Sequence, residues 1–148
     1  MILFLDFDGV LHPDPCFDRS QQFCCLPRLE NVLCDFPHVN VVVSSSWRET
    51  RTIDQLRSFF PPSLTYRIIG VTPIWRDHQD LADTIRYHRE REIETWMRMS
   101  TEPWLPWVAL DDKPHLFRPF LPNVIKTNPA LGFDINAEIA LRNKFHGN

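Results

Sequence analysis

The feature that most constrains this chain is its first segment, a nearly continuous apolar run over residues 2–11 that contains two aspartates and one glycine. A run of this kind is typical of a strand that is buried on both faces, as in a parallel sheet. Because side chains alternate along a strand, the spacing of two predicts that Asp6 and Asp8 project to the same side where the strand ends. Gly9 then lets the chain turn away in a conformation that most residues resist. Two crowded carboxylates repel each other unless a cation lies between them, so the segment predicts an oxygen-ligand site that suits Mg²⁺.

The rest of the chain alternates between predicted helices and predicted strands. We expect helices over residues 26–36, after the serine run up to residue 60, over 80–99 with a possible break near residue 87, and over 134–145. Further strands are expected over 39–43, 66–71, 104–110 and 123–126. This alternation predicts a three-layer, Rossmann-like α/β fold, in which a parallel sheet carries helices on both faces. The 148 residues fit a single domain, 1–148.

Polar side chains follow two of the later strands as well. Ser44, Ser45 and Ser46 lie between a β-branched strand and a helix, a place where backbone N–H groups collect an anion. One of these serines is also expected to cap the helix. Asp111 and Asp112 follow the apolar run and form a second acidic strand end. Because ligands bind beyond the carboxyl ends of parallel strands, we expect these groups to meet at one edge of the sheet.

In this order the strand ends resemble the signatures of the haloacid dehalogenase (HAD) superfamily, beginning with Asp-x-Asp-Gly-Val-Leu at residues 6–11. In that family the first aspartate is a nucleophile that takes up a phosphoryl group, the second is a general acid and base, and Mg²⁺ bridges the nucleophile and the phosphate. The resemblance therefore implies that Asp6 and Asp8 are catalytic and that Mg²⁺ is the cofactor. A carboxylate is a weak nucleophile, so this chemistry needs a metal to hold and neutralise the phosphate. The metal ligands that the resemblance implies are Asp6, Asp8, Asp111 and Asp112.

The second HAD signature is a serine or threonine that binds the phosphoryl group at a strand end, and two residues of this chain can match it. The family's Thr-x-Trp form points to Ser45, because Trp47 lies two residues later. Counting from the last valine of the strand points instead to Ser44. We favour Ser45, and we expect Trp47 to pack against the start of the following helix.

The third HAD signature is a Lys or Arg near the start of a helix, where it offsets charge around the phosphoaspartate. Ile93 marks the inward face of the predicted helix 80–99, and Arg89 lies four residues earlier on that face. Arg91 points roughly 160° away from Ile93. Lys113 follows the acidic pair instead of preceding it. We therefore predict Arg89 as the basic residue, with Arg91 as the second choice and Lys113 as the third.

Three sequence pieces narrow the resemblance further: Ser-Ser-Trp-Arg, Arg-x-x-Glu-Ile-x-x-Trp and Trp-Val-Ala-Leu-Asp-Asp. They look like the small, capless HAD domains of bacterial and phage proteins, some of which are fused to RNA-repair modules. HAD proteins carry a flap or an inserted cap domain after the first strand, and here the residues from about 10 to 27 leave room only for the flap. His12 lies in this flap close to the carboxylates. Its interpretation as a turn histidine before Pro13 is favoured over a contact with substrate.

The function that the resemblance implies is a Mg²⁺-dependent phosphatase that works through an aspartyl-phosphate. The alternative is a non-catalytic module of the same fold that binds phosphate or nucleic acid. An open site without a cap favours large substrates, such as a nucleic-acid 3′-phosphate, over small sugar phosphates. The candidate for a substrate contact is the loop 72–79, which contains Trp75, Arg76, Asp77 and His78. A local basic rim near the site is expected from Arg48, Arg76, Arg86 and Arg89.

Composition and charge argue against several other classes of protein. The net charge of −3 argues against general nucleic-acid affinity. The sequence has no run of about 18 apolar residues for a membrane span, and its apolar start lacks the basic leader of a signal peptide. The cysteines, Cys16, Cys24, Cys25 and Cys34, form no C-x-x-C pair. We expect reduced thiols in a cytoplasmic protein rather than a structural zinc site that includes His12.

Overall fold

A computed structural model of the protein describes residues 1–75 and 86–147. Within these residues, five parallel strands form one sheet in the order β3-β2-β1-β4-β5. The strands are β1 (Ile2–Leu5), β2 (Asn40–Val43), β3 (Ile68–Val71), β4 (Trp107–Asp111) and β5 (Val124–Lys126). The first strand therefore lies at the centre of the sheet, with β2 on one side and β4 on the other. This arrangement confirms the predicted parallel α/β architecture.

Helices cover both faces of the sheet. They are α1 (Leu26–Asp35), α2 (Ile53–Arg57), α3 (Pro62–Thr65), α4 (His88–Met99) and α5 (Ile135–His146), and short 3₁₀ helices lie at Arg19–Gln21, Ser46–Glu49 and Pro114–Leu116. Leu3 and Leu5 of β1 belong to the larger apolar core, to which α1, α2, α3 and α5 contribute. Ile2 and Phe4 belong to a second core, to which α4 contributes Ile93. Alternate side chains of β1 thus face two different helix layers.

Two predicted elements differ from the observed ones. The helix expected after the serine run is divided into a 3₁₀ turn and α2, because Thr52 forms a capping box with Gln55 and starts a new helix. The helix expected over 80–99 is described only from His88 onward, and residues 76–85 lie outside the described part of the chain. No helix within the described ranges is long and apolar enough to cross a membrane.

The loop that follows β1 is held by the segment that follows β5. The hydroxyl of Thr127 donates a buried hydrogen bond of 2.7 Å to the carbonyl oxygen of Gly9. The backbone N–H of Phe133 donates a bond of 2.7 Å to the carbonyl oxygen of Val10. The loop after the central strand is therefore positioned by residues more than a hundred positions later in the chain.

Candidate active site

The order of the strands brings three polar strand ends together. Leu5 of β1 is paired with Val43 of β2 and with Leu110 of β4, so the residues that follow these three lie side by side. The pairing continues past the strand, since Asp6 N–H donates to the carbonyl of Leu110 at 3.1 Å. The chain also crosses from one half of the sheet to the other between β3 and β4, which leaves a crevice beyond β1 and β4. Crevices of this kind are the usual ligand sites of open parallel sheets.

Three buried aspartates converge in this crevice. Ligand oxygens of Asp6, Asp111 and Asp112 lie within 4.8 Å of one another, and all three side chains are buried. The alternation of side chains along β1 and β4 explains the positions of Asp6 and Asp111. Phe4 and Ala109 belong to the core that contains α4, and Asp6 and Asp111 lie two residues beyond them on the same side.

Arg89 of α4 extends into this cluster of aspartates. Its guanidinium donates to Oδ2 of Asp111 at 2.9 Å and lies 3.5 Å from Oδ1 of Asp6. Arg91 instead pairs with Glu94 at the surface. Lys113 contributes its backbone N–H, which donates to Oδ1 of Asp111 at 2.8 Å. Of the three basic residues considered from the sequence, Arg89 is the one whose side chain bonds to the cluster, because it shares the inward face of Ile93.

The donor set fits a divalent cation. Among the described residues, Oδ2 of Asp6 and Oδ1 of Asp112 are buried atoms without a hydrogen-bond partner, an arrangement that is costly for a carboxylate oxygen. Burial, together with the neighbouring Asp6 carboxylate, raises the pKa of Asp112. Burial also raises the pKa of Asp111 to about 7 in spite of the nearby Arg89. A cation held by this cluster would satisfy the orphaned Oδ1 of Asp112 and offset the charge of its neighbours, and an all-carboxylate site suits Mg²⁺.

Gly9 makes room for one of these ligands. Its φ angle is +72°, and a Cβ atom added to it would lie 2.6 Å from both Cγ and Oδ2 of Asp112. Real Cβ atoms do not approach other atoms so closely, so a side chain at this position would displace the carboxylate. The glycine after the first strand therefore has two purposes, the left-handed turn and the close approach of Asp112.

Asp8 lies outside the acidic cluster of Asp6, Asp111 and Asp112, and its role as a metal ligand stays a prediction. Strand β1 ends at Leu5, so the alternation that aligns side chains does not extend to Asp8. Its Oδ1 accepts a hydrogen bond from Nε2 of His12, and its Oδ2 accepts one from Nε1 of Trp47, each at 2.9 Å. The bond from His12, supported by the bond from Trp47, holds the pKa of Asp8 below its ordinary value in spite of partial burial.

The interpretation of His12 as a turn histidine is therefore incomplete. Only 1% of the residue is exposed, and its ring contacts Asp8 across the turn at Gly9. Trp47 packs among the aromatic residues Phe7, Phe23 and Phe59, as a packing role predicts, and it also donates to Asp8. The spacing of four between Asp8 and His12 was the one available signal, since the aromatic partners come from distant segments.

The two candidate serines are both buried, but they differ in their surroundings. The hydroxyl oxygen of Ser45 accepts a 3.4 Å bond from the backbone N–H of Trp47 and caps the 3₁₀ helix. The N–H of Ser44 donates to the carbonyl of Leu5, so Ser44 continues the pairing of β2 with β1. Val42 belongs to the core that contains α4, and the alternation places Ser44 on that side, next to Asp6.

The prediction of a basic rim is wrong for Arg48 and Arg89, which are buried. Arg48 is buried and donates to the backbone carbonyls of Ser44, Ser45, Thr72 and Pro73, and it forms an ion pair of 2.6 Å with Glu92. Arg89 is also buried, whereas Arg86 is exposed. Carbonyl groups at the ends of β2 and β3 need donors, and Arg48 supplies them instead of facing solvent. Arg76 lies outside the described residues, as do Asp77 and His78 of the expected substrate loop.

The described part of that loop borders a small cavity beside the site. Trp75 lines a cavity of about 150 Å³ together with Arg48, Arg89 and Glu92. The backbone N–H of Trp75 donates to Oε1 of Glu92 at 3.0 Å. The cysteines are free thiols, as expected, and among the described residues they form no metal-binding group with His12.

Comparison with known sequences agrees with this geometry. A sequence model of one protein family, described as the HAD domain in Swiss Army Knife RNA repair proteins, matches residues 2–137. No curated protein and no solved structure gives a significant match. The match covers nearly the whole chain and includes every strand end of the site. The chain therefore belongs to the family of HAD domains found in Swiss Army Knife RNA repair proteins.

Proposed function

We propose that this chain is a Mg²⁺-dependent phosphohydrolase that transfers a phosphoryl group to Asp6. The observation that carries the proposal is the Oδ2 atom of Asp6, a buried carboxylate oxygen without a hydrogen-bond partner beside Asp112 and Asp111. Its other oxygen, Oδ1, accepts a 2.9 Å bond from the N–H of Phe7 and faces Arg89. One oxygen is thus fixed and the other is presented for attack. When bound, Mg²⁺ supplies positive charge that holds the phosphoryl group and neutralises it.

The residues of the chain divide the reaction into two steps. In the first, Oδ2 of Asp6 attacks phosphorus, the ester P–O bond breaks, and the protonated form of Asp8 donates its proton to the leaving oxygen. The bonds from His12 and Trp47 favour the ionised form of Asp8 in the free chain, and the negative charge of the bound phosphate favours its protonation. In the second, Asp8 accepts a proton from water, and the water oxygen attacks phosphorus, so that Asp6 is released with inorganic phosphate. Arg89 offsets the negative charge that gathers around Asp6 and Asp111 in both steps.

We assign the phosphoryl contact on β2 to Ser44, because the alternation places it beside Asp6 and Ser45 is already the cap of the 3₁₀ helix. Ser45 was favoured from the sequence, so the two are compared directly. The variant Ser44→Ala is expected to raise KM for phosphate esters and lower kcat more than Ser45→Ala does. A larger effect in Ser45→Ala would return the assignment to Ser45.

The proposal is tested by the release of phosphate from an activated aryl phosphate, with Mg²⁺ and with a chelator. The wild-type chain should release phosphate only with the metal. Asp6→Asn removes the nucleophile and keeps the shape of the side chain, so it should abolish turnover while the fold is retained. Full activity of Asp6→Asn would refute the proposed mechanism.

The alternative, a module that binds phosphate or nucleic acid without turnover, has less support. A pure binding site has no use for an unpartnered Asp6 oxygen or for a second carboxylate, Asp8, whose side chain remains 32% exposed beside it. Micromolar binding without turnover, across a broad panel of phosphate esters with Mg²⁺, would support this alternative.

We further propose that the substrate is a phosphorylated nucleic-acid end, such as a 3′-phosphate. The family to which the chain belongs is named for RNA repair proteins. The stretch from about residue 10 to 27 is too short to hold a cap domain, and a site without a cap favours a phosphate on a large body. The test compares kcat/KM for a 3′-phosphorylated oligonucleotide, a nucleoside monophosphate and a sugar phosphate. If the sugar phosphate is preferred about tenfold or more, which corresponds to about 1.4 kcal/mol, this substrate assignment is wrong.

A further inference from the structure

Two polar hydrogens that belong to an aromatic cluster converge on one carboxylate. His12 lies across the Gly9 turn from Asp8, and Trp47 lies in the 3₁₀ helix that follows β2. Their N–H groups donate to the two different oxygens of Asp8, each at 2.9 Å. Asp8 is not a member of the cluster formed by Asp6, Asp111 and Asp112.

The tautomer of His12 is set by a third contact. The backbone N–H of Phe23 donates to Nδ1 of His12 at 3.3 Å, so Nδ1 carries no proton in this arrangement. The proton of the neutral ring therefore lies on Nε2, the atom that faces Asp8. The ring also packs edge-on against Phe23, at a centroid distance of 5.3 Å, and against Trp47 at 5.9 Å. These contacts thereby fix the orientation of the ring and the tautomer that donates to Asp8.

A purely structural role would not require this arrangement. A buried histidine is often no more than a satisfied core residue, and His12 is buried on every side. Its partner, however, remains 32% exposed at the mouth of the crevice. Each carboxylate oxygen has two lone-pair positions, so the bonds from His12 and Trp47 leave Asp8 a free position on both oxygens. The carboxylate is therefore held firmly while it stays open to a reactant.

We propose that His12 and Trp47 are positioning residues that aim Asp8 at the leaving oxygen of the phosphate ester. This inference rests on the proposed phosphohydrolase function and adds to it the groups that orient the proton donor. Neither residue touches the phosphoryl group. Each acts through Asp8, whose carboxylate would otherwise rotate freely at the start of the flap.

The chemistry of the leaving group provides a specific readout. An alkoxide, such as the ribose oxygen of a 3′-phosphate, leaves slowly unless it receives a proton as the P–O bond breaks. A nitrophenolate leaves without one. Loss of the proper position of Asp8 should therefore slow the cleavage of alkyl esters selectively. The ratio kcat/KM reports the steps up to the departure of the leaving group and excludes the later attack of water.

The experiment compares kcat/KM for an alkyl phosphate and for 4-nitrophenyl phosphate with Mg²⁺. Trp47→Phe removes the N–H and keeps the aromatic packing, and His12→Leu removes the other donor. Both variants should lose about 10- to 100-fold on the alkyl ester and less than about threefold on the nitrophenyl ester. The loss is smaller than the full contribution of general acid catalysis, about 10²–10⁴-fold, because Asp8 itself remains. His12→Gln places an amide N–H near the position of Nε2 and should recover part of the loss.

Phe59→Leu is the matched control, since Phe59 stacks on Phe23 and packs against Trp47 but has no polar hydrogen. It should change the two esters equally. The thermal midpoint of each variant separates loss of function from loss of fold. Equal losses on both esters in Trp47→Phe and His12→Leu would overturn the inference, as would a wild-type chain that cleaves only the nitrophenyl ester. A wild-type chain that cleaves neither ester would instead refute the proposed function.

Discussion

Replacement of Gly9 by alanine is expected to destabilise the fold and also to weaken metal binding. At a φ angle of +72°, an alanine costs roughly 1–2 kcal/mol relative to glycine. The new Cβ atom would lie 2.6 Å from Cγ of Asp112, and overlaps in a packed interior cost typically about 1–3 kcal/mol. We therefore expect Gly9→Ala to lower the free energy of unfolding by roughly 2–5 kcal/mol. Relief of the overlap must move Asp112, because the added atom contacts its carboxylate on one side.

Gly132 offers a matched control for this substitution. Its φ angle is +69°, and an added Cβ atom would lie 2.8 Å from Sγ of Cys25 and from the carbonyl oxygen of Val10. Gly132→Ala should therefore destabilise the fold by a similar amount without a contact to Asp112. Gly9→Ala should weaken Mg²⁺ binding by about 10- to 100-fold, the range known for disturbed metal-site geometry. Gly132→Ala should weaken it much less, because its overlap reaches the metal site only indirectly, through the carbonyl of Val10.

The assay is thermal unfolding of both variants with and without Mg²⁺. A ligand that binds the folded chain raises its stability by RT ln(1 + [L]/Kd), so a weaker affinity reduces the rise in Tm that the metal causes. For a chain of this size, about 1 kcal/mol shifts Tm by roughly 2–4 °C. Gly132→Ala should keep the metal-dependent rise and Gly9→Ala should lose most of it. Equal rises in the two variants would refute the role given to Gly9.

Two further predictions concern buried ionisable groups. Arg89→Met should lower the free energy of unfolding by about 3–5 kcal/mol in the absence of metal, because Asp6 and Asp111 would be left as uncompensated buried charges. Urea unfolding should show that Mg²⁺ restores part of this loss. If the variant without metal is as stable as the wild-type chain, the prediction is wrong. Burial, with the neighbouring Cys24, raises the pKa of Cys25 to about 11. At pH 8, Cys25 should therefore stay protonated and be alkylated more slowly than the exposed Cys24, and its rate of alkylation should rise toward pH 11. The rates at the two cysteines are measured by mass spectrometry of peptides over time, and equal rates would contradict this prediction.

Local periodicity was sufficient to predict much of the site. The apolar runs located the strands, and the phase of Ile93 selected Arg89 before any contact was known. The alternation rule succeeded for Asp6 because that residue still pairs with β4. The rule does not apply to Asp8, because β1 ends at Leu5 and periodicity along a sequence does not show where a strand stops.

The remaining errors have a common physical origin in long-range partners. Arg48 carries the same charge as a surface arginine, but carbonyl groups of Thr72 and Pro73 bind it in the interior. The surroundings of His12 depend on Phe23 and Trp47, which the fold brings from separate segments. Contacts of this kind follow from the tertiary arrangement, so no local pattern in the sequence predicts them.

The bonds from Thr127 and Phe133 to the loop after β1 affect how the chain can be shortened. Every residue assigned to the reaction lies at or before Asp112, so a fragment that ended there would contain the complete set of reactive side chains. It would lack the hydroxyl that binds the carbonyl of Gly9 and the N–H that binds the carbonyl of Val10. The turn that carries Asp8 and admits Asp112 would then have no anchor. The smallest active fragment is accordingly set by backbone carbonyl groups and extends past residue 133, well beyond the last reactive side chain.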